Sequence, residues 1–334
     1  MAGKPDAKLK LLYIKEILEK YTDENHILNA AEITEKLSQQ YGVECERKSI
    51  YKDIDVLVDY GVDIIKTRTP KNGYFVGSRN FELAEIRLLS DAVQAADFIT
   101  KSKTQKMLIK IEDLASIYQA KALRDQVYID RRAKCDNEEI FYNIDTLDTA
   151  IKSGKKVKLV YTRRRFDDKY DTKKESREFI LSPYSLIWSS DHYYLVANNE
   201  KYNNLMNMRV DRISKVEILE QQARHLSEVS TYRNSFDAAD YSAKTFNMFS
   251  GKPESIELKC NNELLEEMID KFGENCNMRK AEGECFLLRT EACVNDGLVS
   301  WIMQFGNKLK AVSPASLREA VKEKAIQIQK IYDI

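Results

Sequence analysis

Arg47, Lys48, Ser49, Tyr51 and Lys52 bring guanidinium, ammonium and hydroxyl groups together within six positions. That set suits nucleic acid: the cations neutralise phosphates, and the hydroxyls donate to phosphate or base edges. A second concentration of charge lies at 152–177, where eleven Lys/Arg face four Asp/Glu, a net of seven positive charges. Catalysis leaves no comparable signal. The three histidines, His26, His192 and His225, stand beside no nucleophile pattern, and G-x-x-x-x-G-K-[ST], G-x-G-x-x-G, G-x-S-x-G and H-E-x-x-H are all missing. Six scattered cysteines form no C-x-x-C pair and match no zinc spacing. They are expected to be reduced thiols, and the chain is expected to be no enzyme and to need no metal or cofactor.

With 334 residues the chain has room for two or three domains, and 43% hydrophobic with 32% charged residues describes a globular protein. No apolar run reaches the roughly 20 residues of a membrane span, and MAGKPDAKLK lacks the apolar core of a signal peptide. A cytoplasmic location without membrane contact is expected. The formal net charge is zero, so its distribution carries the information. Residues 1–79 balance thirteen basic against thirteen acidic residues, and 254–334 carry eleven against fourteen.

The elements that would position Arg47–Lys52 can be read from periodicity. Residues 8–20 place Leu9, Leu12, Tyr13 and Ile17 on one helical stripe. Residues 30–41 repeat the pattern with Ala30, Ile33, Leu37 and Tyr41, led by Asn29 as N-cap with Glu32 three residues on and closed by Gly42. Residues 47–60 form a third helix with Ile50, Ile54, Leu57 and Val58 inward, ended by Gly61. VDIIKT and GYFVG then flank Pro70-Lys71-Asn72-Gly73 as a hairpin carrying Lys66, Arg68 and Lys71. The alternative is an ordinary three-helix unit with a solvated basic face.

The run KSIYKDIDVLVDYGVDIIKTRTPKNGYFV resembles the winged helix of DeoR-like regulators that carry WYL modules. Lys48, Ser49, Ile50, Tyr51, Lys52, Asp53 and Ile54 occupy the R-T-I-Y-R-D-I places, followed by Leu57, Gly61, Ile64, Gly73 and Tyr74. Both arginines of the pattern are lysine here, which keeps the charge and loses the bidentate fork for guanine. The resemblance implies duplex DNA as partner, with Arg47, Lys48, Ser49, Tyr51, Lys52, Arg68 and Lys71 as contacts.

Residues 81–100 and 103–118 read as two amphipathic helices, led by Leu83, Ile86, Leu89 and Val93, then Met107, Leu108, Ile111 and Leu114. They suit a linker that could also hold a homodimer, matching a two-fold DNA site. A helix over 139–153 precedes short β-rich runs: VKLVYT, REFILSPYSLIW, HYYLVANN and NLMNMRVD. YTRRRFDDKYDTKKESREF joins the first two as an exposed hairpin. LSPYSLIWSSDHYYLVANNEKYNNLMNMRVDRI resembles the WYL domain, an Sm-like β-barrel. Pro183-Tyr184 match its P-Y, Tyr193-Tyr194-Leu195 its triplet with Tyr in place of Trp, and Arg209, Asp211, Arg212 and Ile213 its R-x-D-R-I. The resemblance implies a nucleotide or single-stranded nucleic-acid effector, phosphate on guanidinium and bases on rings. The expected site is His192, Tyr193, Arg209 and Arg212, with Arg177 and Tyr184 nearby. Strand alternation sets His192 and Tyr193 on opposite sides unless a bulge intervenes. Tyr194 and Leu195 suit the barrel core, Arg212 suits an ion pair with Asp211 as well as a ligand, and Arg209 is the leading ligand contact.

Residues 225–251 read as a polar connection, and 254–331 as β-α-β-α-β-α. Trp301, Phe305, Gly306 and Pro314 resemble the WCX extension that follows WYL domains. The expectation is an α+β chain: a winged helix-turn-helix over 1–79, a helical linker over 80–140, a WYL barrel over 141–222, a connector over 223–253 and a WCX α/β sandwich-like extension over 254–334. The expected function is ligand-modulated transcriptional regulation. The alternative is an accessory protein that binds RNA or single strands.

Overall fold

The computed structural model describes residues 7–69, 71–126, 134–166, 172–233, 235–274 and 276–332. The chain divides into two compact units, 1–134 and 135–334.

In the first unit, α1 (Ala7–Tyr21), α2 (Ala30–Tyr41) and α3 (Arg47–Asp59) precede a hairpin of β1 (Ile64–Thr67) and β2 (Gly73–Val76). The α2 start holds as read: the Asn29 side chain accepts from the backbone of Ala31 and Glu32, and Glu32 reaches back to the Asn29 amide. Gly42 closes the helix in the left-handed region at φ 64°. Ile14, Ile17, Leu18, Ile33, Leu37, Ile50, Ile54 and Leu57 form the core with Tyr74 and Val76 of the hairpin. Two sequence assignments are corrected here. Leu9 and Leu12 are exposed, because they lie on the side of α1 that carries Lys8, Lys15, Glu16 and Glu19, and the opposite side seats Ile14, Ile17 and Leu18; Val58 is exposed as well. Gly73 is required at the wing base, since a Cβ there would lie 2.6 Å from the Leu28 carbonyl oxygen. Pro70 falls outside the described residues.

After the hairpin come α4 (Leu83–Ala95), α5 (Lys101–Glu112) and α6 (Ile117–Gln126), the last beginning where the second linker helix was expected to end. Ile86, Ala115 and Leu123 form a small core. Ser116, fully buried ahead of α6, donates to Asp23 Oδ2 at 2.6 Å, and Tyr118 stacks on His26 at 3.6 Å. These contacts tie α6 to the turn between α1 and α2.

The second unit opens with α7 (Ile140–Ser153), followed by β3 (Lys155–Phe166), β4 (Thr172–Ser189), β5 (His192–Asn198), β6 (Met206–Arg209), a 3-10 turn at Val210–Arg212 and β7 (Ile213–Gln222). The antiparallel order is β6-β5-β4-β3-β7. The expected closed barrel is corrected: among the described residues no ladder joins β6 to β7, and the sheet stays open. Four-residue β6 passes straight into the 3-10 turn, so β7 starts against the far strand β3 rather than beside β6. The edge strand β7 had no sequence assignment. α7 packs on the sheet, and its buried Asn143 donates to the Ile213 carbonyl at 2.8 Å. The 225–251 segment is more than a polar connection. It carries α8 (Ala238–Lys244), and Val229, Tyr232, Phe236, Tyr241 and Met248 bury Ile187 and Val196 of the sheet.

The C-terminal part comprises β8 (Pro253–Asn261), α9 (Leu265–Phe272), β9 (Asn277–Lys280), β10 (Cys285–Cys293), α10 (Asp296–Met303), β11 (Leu309–Ser313) and α11 (Ala315–Tyr332). The alternation stands as expected, with the short edge strand β9 added in the order β11-β8-β10-β9. Trp301 packs with Phe246, Phe272 and Phe305 at ring separations of 5.0–5.7 Å, anchoring α10 to the core.

Candidate nucleic-acid interface and ligand site

At the leading end of α3, Arg47, Lys48, Tyr51 and Lys52 are exposed. The burial of Ile50, Ile54 and Leu57 turns the opposite face of the helix to solvent, which puts Lys48 and Lys52 one turn apart on that face. Neither they nor Arg47 takes an ion pair among the described residues. Asp55 and Asp59 follow on the exposed helix, so only its first two turns offer an anion-binding surface. Ser49 is different. Its hydroxyl is hydrogen-bonded to the Lys10 ammonium, which also bridges Asp53 at 2.8 Å, so Lys10 locks α3 onto α1 through both residues.

The wing residues divide in the same way. Arg68 is exposed with no ion pair among the described residues, whereas Lys71 is bound to Glu32 at 2.6 Å. Burial would raise the Glu32 carboxyl, but Lys71 and the Asn29 amide hold its pKa below the usual value. Lys71 thus joins the wing to the α2 cap.

In the second unit, Ser190 and Asp191 both adopt positive φ (48° and 59°), making the two-residue turn that joins β4 to β5. The register then sets the aromatic groups. Trp188 is paired with Tyr193, their rings edge to face at 5.4 Å, and His192 meets Tyr194 at 6.4 Å. No bulge separates them, so His192 and Tyr193 lie on opposite sides of the hairpin. Only His192 shares the side of Tyr194 and its cross-strand partner Arg209.

Arg209 grips Asp211 with two hydrogen bonds, Nε to Oδ1 at 3.0 Å and Nη2 to Oδ2 at 2.7 Å, the pair being largely buried. This bond lifts the pKa of Arg209 above its ordinary value. Arg212 is exposed and takes no ion pair among the described residues. Asp211 is thus taken by Arg209 and not by Arg212, whose exposed guanidinium is the available cation of the two. Burial raises the pKa of Tyr194, whose neighbours include Arg209, Asp211, Arg212 and Tyr161.

Tyr161 and Arg163 had no expected contact role. Tyr161 is buried beside this group, and the Arg163 guanidinium lies 5.5 Å from its ring centroid. Arg177 pairs with Tyr161 across the ladder, and its guanidinium binds Glu175 at 2.6 Å. The alternation Tyr161, Arg163, Arg165 is the available sequence signal: the core-facing side of β3 becomes cationic where it leaves the core. Tyr184 points elsewhere, donating to the Arg224 carbonyl at 2.9 Å, with its pKa pushed up to about 12 by burial. The tip of the β3–β4 hairpin, including Asp167, Asp168 and Asp171, lies outside the described residues.

Among the described residues no group of three or more His, Cys, Asp or Glu is placed to hold a metal ion, and no helix is long and apolar enough to cross a membrane. The six cysteines are free thiols.

These strands coincide with known domain families. Residues 142–218 match the WYL domain, and residues 252–328 match the WCX domain. The chain carries a WYL domain followed by a WCX domain. Among solved structures it is similar to proteasome accessory factor B/C (PafBC) of Arthrobacter aurescens, at 16% identity and a TM-score of 0.29. That match covers 100% of this chain and 51% of the other, so this chain spans about half its length. A second similar structure is described as a CRISPR Cas-related protein, at 13% identity and a TM-score of 0.37, covering 97% of this chain and 85% of that one. No curated protein matches.

Proposed function

We propose that this protein is a transcriptional regulator that binds duplex DNA through α3 and the wing, and whose WYL domain takes a nucleotide or single-stranded nucleic-acid effector. The observation that carries the reading is the leading end of α3. Arg47, Lys48 and Lys52 are exposed without ion pairs among the described residues, on a helix seated on a three-helix core beside a hairpin bearing Arg68. A helix so presented enters the major groove by its first turns, with the hairpin along the backbone.

The effector site is Arg212, Arg163 and His192 around Tyr194 and Tyr161, with Arg209 oriented by Asp211. Guanidinium and ring faces there suit phosphate and base together. Regulation follows if the effector binds one arrangement of a dimer better than another, since a ligand with equal affinity for both shifts nothing. On this reading the protein performs no catalysis, needs no cofactor and works in the cytoplasm.

The test compares duplex and single-stranded probes on the full chain. Lys48→Ala/Lys52→Ala should abolish sequence-dependent duplex binding and spare single-strand binding, and Arg163→Gln/Arg212→Gln should do the reverse. If single strands bind and no duplex does, the accessory reading replaces this one.

A further inference from the structure

The side of the β11-β8-β10-β9 sheet turned away from its helices carries a pattern that neither the duplex nor the effector reading uses. Ile256, Leu258 and Cys260 of β8 and Phe286 and Leu288 of β10 face the core. The residues between them face outward. The registers Lys310↔Lys259, Lys259↔Leu287 and Leu287↔Arg279 place these four in one row across all four strands. One step along, Glu257 pairs with Arg289 and Arg289 with Asn277. Four cations thus share one sheet face, although residues 254–334 carry eleven basic against fourteen acidic residues.

Lys259 and Lys310 stand directly opposite each other on neighbouring strands. Like charges in that position cost stability, and such local conflicts concentrate where a surface serves a ligand. Neither lysine takes an ion pair among the described residues, and neither does Arg289, whose Nε donates to Ser255 Oγ at 3.3 Å. Arg279 is oriented by Glu257 at 2.8 Å. Arg279, Arg289 and Asn277, with Leu287 and Glu257, line a cavity of about 100 Å³. These rows hold no aromatic ring, so the face offers charge and hydrogen bonds rather than stacking.

We propose that this open face of the WCX sheet binds a ligand bearing at least two phosphoryl groups, one between Arg279 and Arg289 and another over the Lys259–Lys310 pair. Two strand spacings, roughly 10 Å, separate Lys259 from Arg279, a reach that linked phosphates span. The ligand is either a free polyphosphate or nucleotide, or the backbone of a single strand. The site does not depend on the regulator reading.

The experiment is calorimetric titration of the full chain at low salt, first with inorganic triphosphate and then with a short 5′-phosphorylated single strand. Lys259→Gln/Lys310→Gln and Arg289→Gln should each weaken binding about tenfold or more. The melting temperature of Lys259→Gln/Lys310→Gln should equal or exceed that of the parent, because a like-charge pair has been removed. Triphosphate binding that these variants lose assigns the face to free phosphate compounds, and strand binding alone that they lose assigns it to a nucleic-acid backbone. Unchanged affinity in the Lys259/Lys310 and Arg289 variants, or no binding of either probe by the parent, overturns the proposal.

Discussion

Replacing Lys48 and Lys52 by alanine removes two ammonium groups from the exposed end of α3 without touching Ile50, Ile54 or Leu57 beneath them. If both groups neutralise phosphates, the slope of log affinity against log salt falls by about 0.9 per contact, or roughly 1.8 in all. Over a fourfold rise in salt, such as about 50 to 200 mM, that difference amounts to roughly twelvefold in affinity. The variant should therefore bind far more weakly than the parent at low salt and lose much less as salt increases. Lys71 supplies the internal comparison: its ammonium is held 2.6 Å from Glu32, so Lys71→Ala should leave the slope nearly unchanged. Fluorescence anisotropy of a labelled duplex across a salt series reads both quantities. A parental slope in the double variant, or a fall in Lys71→Ala as large as in the double variant, would refute the assignment of phosphate contacts to α3.

Three further outcomes follow from the geometry. Burial would raise the Asp23 carboxyl, but hydrogen bonds from Ser116 and His26 outweigh it and hold its pKa below the usual value. The resulting stability is present above the unfolded pKa of about 3.9 and is lost as pH falls through the lower folded value. Ser116→Ala should cost the first unit about 1–2 kcal/mol at neutral pH, read by denaturant titration, and lose that difference in acid. Gly73→Ala forces a Cβ to 2.6 Å from the Leu28 carbonyl oxygen and 2.7 Å from Ile27 Cγ2. It should cost about 2 kcal/mol and displace the wing, and a parental melting curve would count against that close approach. Asp211→Asn weakens a largely buried two-bond grip on Arg209 and should destabilise the second unit by roughly 1–3 kcal/mol in chemical unfolding. No loss would show the pair to be dispensable.

Local rules were legible where a short stretch of chain contains the whole cause. Asn29, Glu32 and Gly42 define α2 because a cap is satisfied within four residues. Ile50, Ile54 and Leu57 fix the buried face of α3 for the same reason. The α1 stripe misled because Leu9 and Leu12 interrupt the polar side formed by Lys8, Lys15, Glu16 and Glu19, while Ile14, Ile17 and Leu18 on the other side make the core contacts. Strand β7 reads ISKVEILEQQ, with charges on a partly exposed edge strand that obscure its alternation. Partnerships across the chain were invisible: Lys10 with Ser49 and Asp53, and Lys71 with Glu32, join residues about forty positions apart. That Asp211 goes to Arg209 rather than Arg212 has a local cause, two nearby arginines and one carboxylate, that only the 3-10 turn at Val210–Arg212 decides. The opposition of His192 and Tyr193, by contrast, follows from strand alternation alone.

The central claim, that α3 reads duplex DNA, is tested most directly by selection from a randomised duplex library with the full chain at fixed salt, repeated with Lys48→Ala/Lys52→Ala. The account predicts enrichment of one motif by the parent, with half-sites spaced for a dimer, and its loss in the variant. No enrichment by the parent, or the same motif recovered by the variant, would contradict it.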